Sequence, residues 1–209
     1  MDIAIVVYDR FTALDAIGPY EVLSRLPNAR VSFVAEEAGP LRTDNGMLTI
    51  VAETTLAQAG RPDVVLVPGG PGEVVARAGG EMLEWLSAAA ETSTWTTSVC
   101  TGSLILAAAG LLDGRRATTH WLALDELRRL GAEAVSERVV FDGDIVTAAG
   151  VSAGIDMALS LAERIAGRQV AQAIQLGIEY EPEPPFRAGS PDTAPADIVD
   201  ALRARSRFA

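Results

Sequence analysis

Cys100 is the only cysteine in the 209-residue chain. It follows a strand-like run, Trp95-Thr96-Thr97-Ser98-Val99, and precedes a helix-like run, Thr101 to Ala109. A thiol on a sharp strand-to-helix turn is pushed out of the sheet towards solvent. It also meets a helix N-terminus, whose partial positive charge favours thiolate over thiol. This is the nucleophile-elbow pattern with cysteine in place of serine. It predicts a reactive thiol with a pKa below the ordinary value of ~8.5. The competing reading is a plain buried cysteine.

Three other residues or pairs carry possible chemistry. Asp15 lies in an apolar setting, Leu14-Asp15-Ala16-Ile17-Gly18-Pro19, just before an expected helix. It reads as a general acid or as a helix cap; burial would raise its pKa and amide hydrogen bonds would lower it. Glu21 ranks below it, as a solvent-facing helix residue. Gly69-Gly70 reads as a tight turn, or as a loop whose Gly70 N–H joins that of Thr101 in an anion hole. His120 is the single histidine. It is either the partner of Cys100 in a Cys–His pair or a helix-start residue bonded to backbone near Trp121. One cysteine and one histidine make a poor ligand set for zinc, so no metal is expected.

The elements that must position these groups alternate. Strands are expected at Ile3–Tyr8, Val31–Ala35, Val64–Val67 and Trp95–Val99. Helices are expected at Ile17–Arg25, with Pro19 in its first turn, and at Glu81–Thr92, Thr101–Ala109, His120–Leu130, Ser152–Ala166 and Arg168–Tyr180. Asp44-Asn45-Gly46 and Asp142-Gly143 signal hairpins. Such alternation defines an α/β fold with a mainly parallel sheet and helices on both faces. Ligands then bind beyond the carboxyl ends of the strands. Asp15, Gly69-Gly70 and Cys100 each follow a different strand and share that edge.

Composition bounds the rest. Hydrophobic residues make up 49% and aromatic residues 5%, so the core is aliphatic. A net charge of −11 opposes binding to a phosphate backbone, and no nucleic-acid partner is expected. The best apolar stretch, Leu104–Leu112, is about half the length of a membrane span. The first strand begins without a basic segment or cleavage site, and one cysteine cannot form an internal disulfide. A cytoplasmic location is expected from both. Residues 1–186 read as one α/β domain. The tail, 187–209, follows an extended Glu181–Phe186 segment and carries a short helix near Pro195–Arg205.

The motifs Leu14-Asp15-x-x-Gly18-Pro19-Tyr20-Glu21, Val67-Pro68-Gly69-Gly70, Ser98-Val99-Cys100-Thr101-Gly102 and Ala117-Thr118-Thr119-His120-Trp121 resemble the PfpI-like branch of the class I glutamine amidotransferase-like superfamily. With the tail Ile178-Glu179-Tyr180-Glu181-Pro182-Glu183-Pro184-Pro185-Phe186, the pattern is similar to the isonitrile hydratases. The resemblance implies a flavodoxin-like three-layer sandwich that forms a homodimer. It implies cofactor-free addition of water to an isonitrile, giving an N-substituted formamide. Cys100 would form a thioimidate, Asp15 would supply and recover the proton, and the Thr101 hydroxyl would hold the thiol or water. Gly70, Thr101 and His120 are candidates for binding substrate. Peptidase-like and glutaminase-like relatives place a histidine close to the nucleophile, often directly after it; Thr101 stands there, which argues against peptide or glutamine hydrolysis. The alternatives are a stand-alone ligand-sensing or interaction domain, related to the sensor domains of transcription regulators, or another cysteine enzyme acting on reactive carbonyls or oxidants. Only 23 residues follow Phe186, too few for a DNA-binding domain.

Overall fold

A computed structural model describes residues 1–208. The chain opens with β1 (Asp2–Val6), α1 (Ala13–Leu23), β2 (Arg30–Ala35), the hairpin β3 (Gly39–Arg42) and β4 (Thr49–Ala52), and the short β5 (Thr54–Thr55). It continues through β6 (Val64–Val67), α2 (Glu73–Ala76), α3 (Glu81–Ala90), β7 (Trp95–Val99) and α4 (Gly102–Ala108). Next come β8 (Arg116–Ala117), a 3-10 turn at Trp121–Ala123, α5 (Leu124–Arg129), β9 (Glu133–Ala134), β10 (Val139–Asp142) and β11 (Ile145–Ala148). Helices α6 (Ala153–Ala166), α7 (Arg168–Gly177) and α8 (Ala196–Ala204) complete it.

Seven strands form the central sheet in the order β10-β11-β7-β6-β1-β2-β5. Every pairing is parallel except the β10–β11 hairpin. The four residues of β6, Val-Val-Leu-Val, are all buried, as the centre of a two-sided sheet requires. β2 alternates exposed and half-buried residues over its first four positions, as suits a strand near the edge. Helices α1, α6 and α7 pack as one group and α2 to α5 as another around α4, which lies on β6 and β7. The result is the expected flavodoxin-like sandwich.

Strand order runs outward in both directions from the β1–β6 pair, so the chain reverses its winding there. Register aligns Ile5 with Leu66, Val67 with Ser98 and Ala148 with Val99. Strands β1, β6, β7 and β11 therefore end on one edge, where ligand sites form in such sheets.

Two local expectations change. Helix α1 begins at Ala13 rather than near Ile17, so Asp15 lies inside its first turn and Thr12 takes the N-cap position. Pro19 sits in the second turn, not the first, and its missing N–H leaves the Asp15 carbonyl without a helical donor. Gly18 allows the adjacent approach of α6: a Cβ there would lie 3.0 Å from Ile155. The short strands β8 and β9 and the single-turn α2 had no sequence pattern long enough to announce them. No helix among the described residues is long and apolar enough to cross a membrane.

Candidate active site

Cys100 occupies the turn between β7 and α4 with φ 57°, a left-handed conformation rare for a residue with a side chain. The surroundings fix it there. Its N–H is held by the Ala148 and Ala149 carbonyls at 3.0 and 2.9 Å. Its carbonyl accepts the hydroxyls of Thr119 at 2.9 Å and Ser103 at 3.2 Å. Gly102, next in the chain, is obligatory: a Cβ would lie 2.1 Å from the Val67 carbonyl oxygen.

The thiol is not turned to solvent as expected; Cys100 is only 6% exposed. Nor is its pKa lowered. Burial first, then the Asp15 charge, push it well above the ordinary thiol range, while the N–H groups of Val151 and Thr101 pull the other way. Helix α4 spans seven residues, too short for its terminus to offset that burial.

Asp15 approaches Cys100 from α1, near enough for its carboxyl group to act on the thiol. One carboxylate oxygen, Oδ2, accepts the Gly69 N–H at 2.9 Å. The other, Oδ1, is buried without a partner meeting hydrogen-bond geometry. Asp15 is fully buried, and burial pushes its pKa up to about 7 despite the Gly69 amide and the thiol; Asp44 adds to the rise. At neutral pH the carboxyl group is therefore poised to give or take a proton beside a protonated thiol. Capping is not its role: its side chain points to Gly69 and Cys100, not to the start of α1.

The glycine loop braces the pair. Gly70 donates its N–H to Thr101 Oγ1 at 3.0 Å. That amide is thus engaged rather than free to form the expected anion hole, and the Thr101 N–H faces the Cys100 sulfur instead. Gly70 adopts φ 134°, and a Cβ would meet the Arg10 carbonyl oxygen and Thr12 nitrogen at 2.6 Å. A Cβ on Gly69 would lie 2.5 Å from the Thr101 nitrogen and 3.0 Å from Asp15 Oδ2. Both glycines are needed for close approach. Buried Tyr8 donates to the Pro68 carbonyl at 2.8 Å; its pKa is raised by burial first, then by Asp15, Glu73 and Cys100.

His120 comes near but does not pair. Its Nδ1 accepts the Leu122 N–H at 3.3 Å, which leaves the proton on Nε2. Its ring lies against Gly150, where a Cβ would be 2.9 Å from Cδ2. Burial, then Arg207, depress its pKa, so it is neutral at pH 7. No hydrogen bond joins it to Cys100 or Asp15 among the described residues. It lines a cavity of about 420 Å³ together with Thr119, Trp121, Val151, Ser190 and Asp192. The cavity does not include the thiol on its wall but adjoins it through Thr119 and Val151, both of which contact Cys100. Glu21 is exposed and paired with Arg25 at 2.7 Å. The roles of Val151, Thr119, Tyr8 and Glu73 had no signal in the sequence, because each depends on contacts made across the sheet edge. Among the described residues no cluster of three or more His, Cys, Asp or Glu side chains is placed to hold a metal.

A mainly parallel sheet that carries a left-handed cysteine at the end of β7, beside its central strand, faced by a buried carboxyl group, defines a cysteine-bearing α/β sandwich of the DJ-1 type. Residues 1–164 match the DJ-1/PfpI family, and the chain belongs to it. It is 44% identical over 206 residues to the isonitrile hydratase of Pseudomonas putida, covering 99% of this chain and 90% of that one. It is 32% identical to the HTH-type transcriptional regulator CdhR of Pseudomonas aeruginosa, covering 76% of this chain and 48% of the regulator. A ThiJ/PfpI family protein from Pseudomonas syringae superposes with a TM-score of 0.94 at 39% identity, covering 97% of this chain and 84% of the other. Drosophila melanogaster DJ-1beta shares the fold, with a TM-score of 0.78 at 21% identity over 87% of this chain and 98% of its own.

Proposed function

We propose that the protein is an isonitrile hydratase. The observation that carries this is the buried Cys100–Asp15 pair, a thiol and a carboxyl group poised to exchange one proton, in a chain 44% identical to an isonitrile hydratase along nearly its whole length.

The chemistry follows from that pair. The terminal carbon of R–N≡C accepts a soft nucleophile and must gain a proton. As the Cys100 sulfur attacks, its proton passes to the Asp15 carboxylate and from there to the carbon. The net step adds S–H across the carbon and gives a thioimidate, R–N=CH–S–Cys100. Asp15, again ionised, takes a proton from water as the oxygen attacks the same carbon. That proton goes to nitrogen, giving R–NH–CH(OH)–S–Cys100. Cleavage of the C–S bond releases R–NH–CHO and returns the proton to the thiol. No redox change occurs and no cofactor enters the cycle. Thr101 Oγ1 accepts from Gly70, so its own proton remains for the attacking water. His120 lines the adjoining cavity and serves substrate binding.

The test is formamide production from a simple alkyl isonitrile, with Cys100→Ala as control. No formamide from the wild-type protein overturns the reading. The alternative, a ligand-sensing module, is favoured by the match to CdhR over three-quarters of this chain. Tight binding of the isonitrile without turnover would support it.

We further propose that the protein is a homodimer. Leu176 and Phe186 are 80% and 76% exposed, beside a stiff proline-rich segment poorly suited to open solvent. Light scattering that returns a monomer mass overturns this.

A further inference from the structure

Residues at the far C-terminal end of the described chain reach the glycine loop. Arg207 donates from Nη1 to the Pro71 carbonyl at 3.0 Å and from Nη2 to the Gly70 carbonyl at 3.3 Å. The same Nη2 lies 2.9 Å from Glu73 Oε1. Glu73 is fully buried at the start of α2, and its other oxygen pairs with Arg77 at 2.8 Å. Arg77 continues to Glu126 at 2.6 Å. One guanidinium thus binds three successive features of a single loop.

The amides of that loop make the contacts that matter at the site. The Gly69 N–H holds Asp15, and the Gly70 N–H holds Thr101. Two adjacent glycines without side chains cannot fix their own conformation, and free glycine has the largest conformational entropy of any residue. Fixation must come from outside the loop. Backbone contacts supply part of it: the Thr12 N–H donates to the Gly69 carbonyl at 2.8 Å, the Glu73 N–H to the Gly70 carbonyl at 3.1 Å and the Gly72 N–H to the Arg10 carbonyl at 3.2 Å. Arg207 adds the only cation on the Gly70 and Pro71 carbonyls among the described residues. The segment that delivers Arg207 is itself anchored: Val199 of α8 is buried, Arg203 lies 5.7 Å from the Trp121 ring centroid, and Phe208 packs against the core.

We propose that Arg207 is a positioning residue of the active site, which fixes the Gly69–Gly70 loop so that its two amides hold Asp15 and Thr101 against Cys100. The proposal rests on the reading that these three residues work together. Arg207 acts through the loop and not on the substrate.

The test uses the full chain carrying R207Q, R207K, E73Q/R207Q or, as a matched loss of charge in the same tail, R205Q at an exposed position. Two quantities are read: kcat and KM on a simple alkyl isonitrile, and the pH dependence of Cys100 alkylation by iodoacetamide. The second needs no turnover, so it tests the proposal even if the wild-type protein fails to hydrate the isonitrile. In R207Q a displaced loop should lower kcat by about tenfold or more with little change in KM, because small misplacements of catalytic groups cost that much. Loss of the Gly69 amide would also move the lower limb of the alkylation profile, which follows Asp15, to higher pH. The groups that set that limb are Cys100 and Asp44 around Asp15, and Asp15 around Cys100. R207K should recover part of both effects and R205Q should show neither. E73Q/R207Q removes the buried charge that R207Q leaves with Arg77 alone, and so keeps the test alive if R207Q does not fold. Low kcat and a shifted profile in the folded double variant support positioning. Wild-type kcat and an unshifted profile in either folded variant overturn it, reducing Arg207 to a neutraliser of Glu73.

Discussion

Gly69 donates its backbone N–H to Asp15 Oδ2 at 2.9 Å, across the point where the sheet reverses its winding. This bond ties the exit of β6 to the first turn of α1 and turns the carboxyl group towards the thiol at the end of β7. The amide alone would favour the ionised acid, but complete burial outweighs it, and Asp15 titrates near neutrality, at about 7, instead of near the ordinary carboxylate value of 3.8. The thiol and the carboxyl group act on each other, so kinetic pKa values should be assigned to both together.

Replacing Asp15 with Asn should separate acidity from turnover. The amide keeps the shape but cannot move a proton, so hydration should fall by about 10²–10⁴-fold. At the same time Cys100 loses the negative neighbour that helps to raise its pKa, and its alkylation midpoint should drop relative to wild type. In the wild type that midpoint should lie above the free-thiol value of ~8.5. Near-normal turnover in D15N, measured by formamide release, would remove Asp15 from the chemistry.

The raised pKa of Asp15 also has a sign for stability. Between 3.8 and about 7 the folded state holds a proton that the unfolded state has released. Stability contributed by this group is present below the lower value and is lost as pH rises through the upper one. The loss is ~4 kcal/mol for a shift of this size. His120 works in the opposite sense, since its depressed pKa favours unfolding on acidification below 6.5. Comparison with D15N isolates Asp15: the variant should match wild type near pH 4 and melt higher near pH 8. Equal denaturation midpoints at both pH values would show that Asp15 is not perturbed.

The main outline of this site was legible from sequence because it depends on where strands end. Val64–Val67 announces a central strand by its unbroken apolar run, and Pro68-Gly69-Gly70 ends it; the Trp95 strand similarly delivers Cys100. The thiol's environment was not legible. A turn of this type suggests exposure, yet α1, the Ala148–Val151 segment and the glycine loop close over Cys100 from three separate parts of the chain. The same holds for Gly70, whose sequence context fits an anion hole as well as a brace; only the 3.0 Å contact with Thr101 distinguishes them.

Thr101 tests that brace directly. Thr101→Val removes the acceptor and leaves the buried Gly70 N–H unpaired, a cost of about 1–3 kcal/mol. It also removes the hydroxyl assigned to water, so kcat should fall by about tenfold or more, while Thr101→Ser should keep most of both functions. Valine and serine variants with equal kcat and equal melting temperature would contradict this role.

Gly70→Ala should be among the most damaging single-methyl additions in the chain. Its φ of 134° is unfavourable for any L side chain, and the new Cβ would contact backbone atoms of residues 10 to 12. Strain of ~1–3 kcal/mol is expected from the conformation alone, before any displacement of Thr101. Chemical denaturation should report the stability loss and formamide release the displacement. An alanine variant with unchanged stability would mean the loop is free to move, which would weaken every argument that it fixes Asp15.

His120 separates two kinds of cysteine chemistry. A Cys–His dyad needs the imidazole as a base on the thiol, with a nitrogen facing the sulfur. Here Nδ1 is committed to the Leu122 N–H, Nε2 carries the proton, and burial with Arg207 nearby keeps the ring neutral. Neither nitrogen is available to deprotonate Cys100, and the proposed mechanism gives that exchange to Asp15. His120→Gln should therefore retain kcat within about tenfold, well short of the 10²–10⁴ that loss of an acid–base group costs. Its effect should appear in KM, because the residue lines the cavity beside the thiol. A folded H120Q protein as inactive as Cys100→Ala would replace the Cys100–Asp15 pair with a Cys100–His120 dyad as the centre of the mechanism.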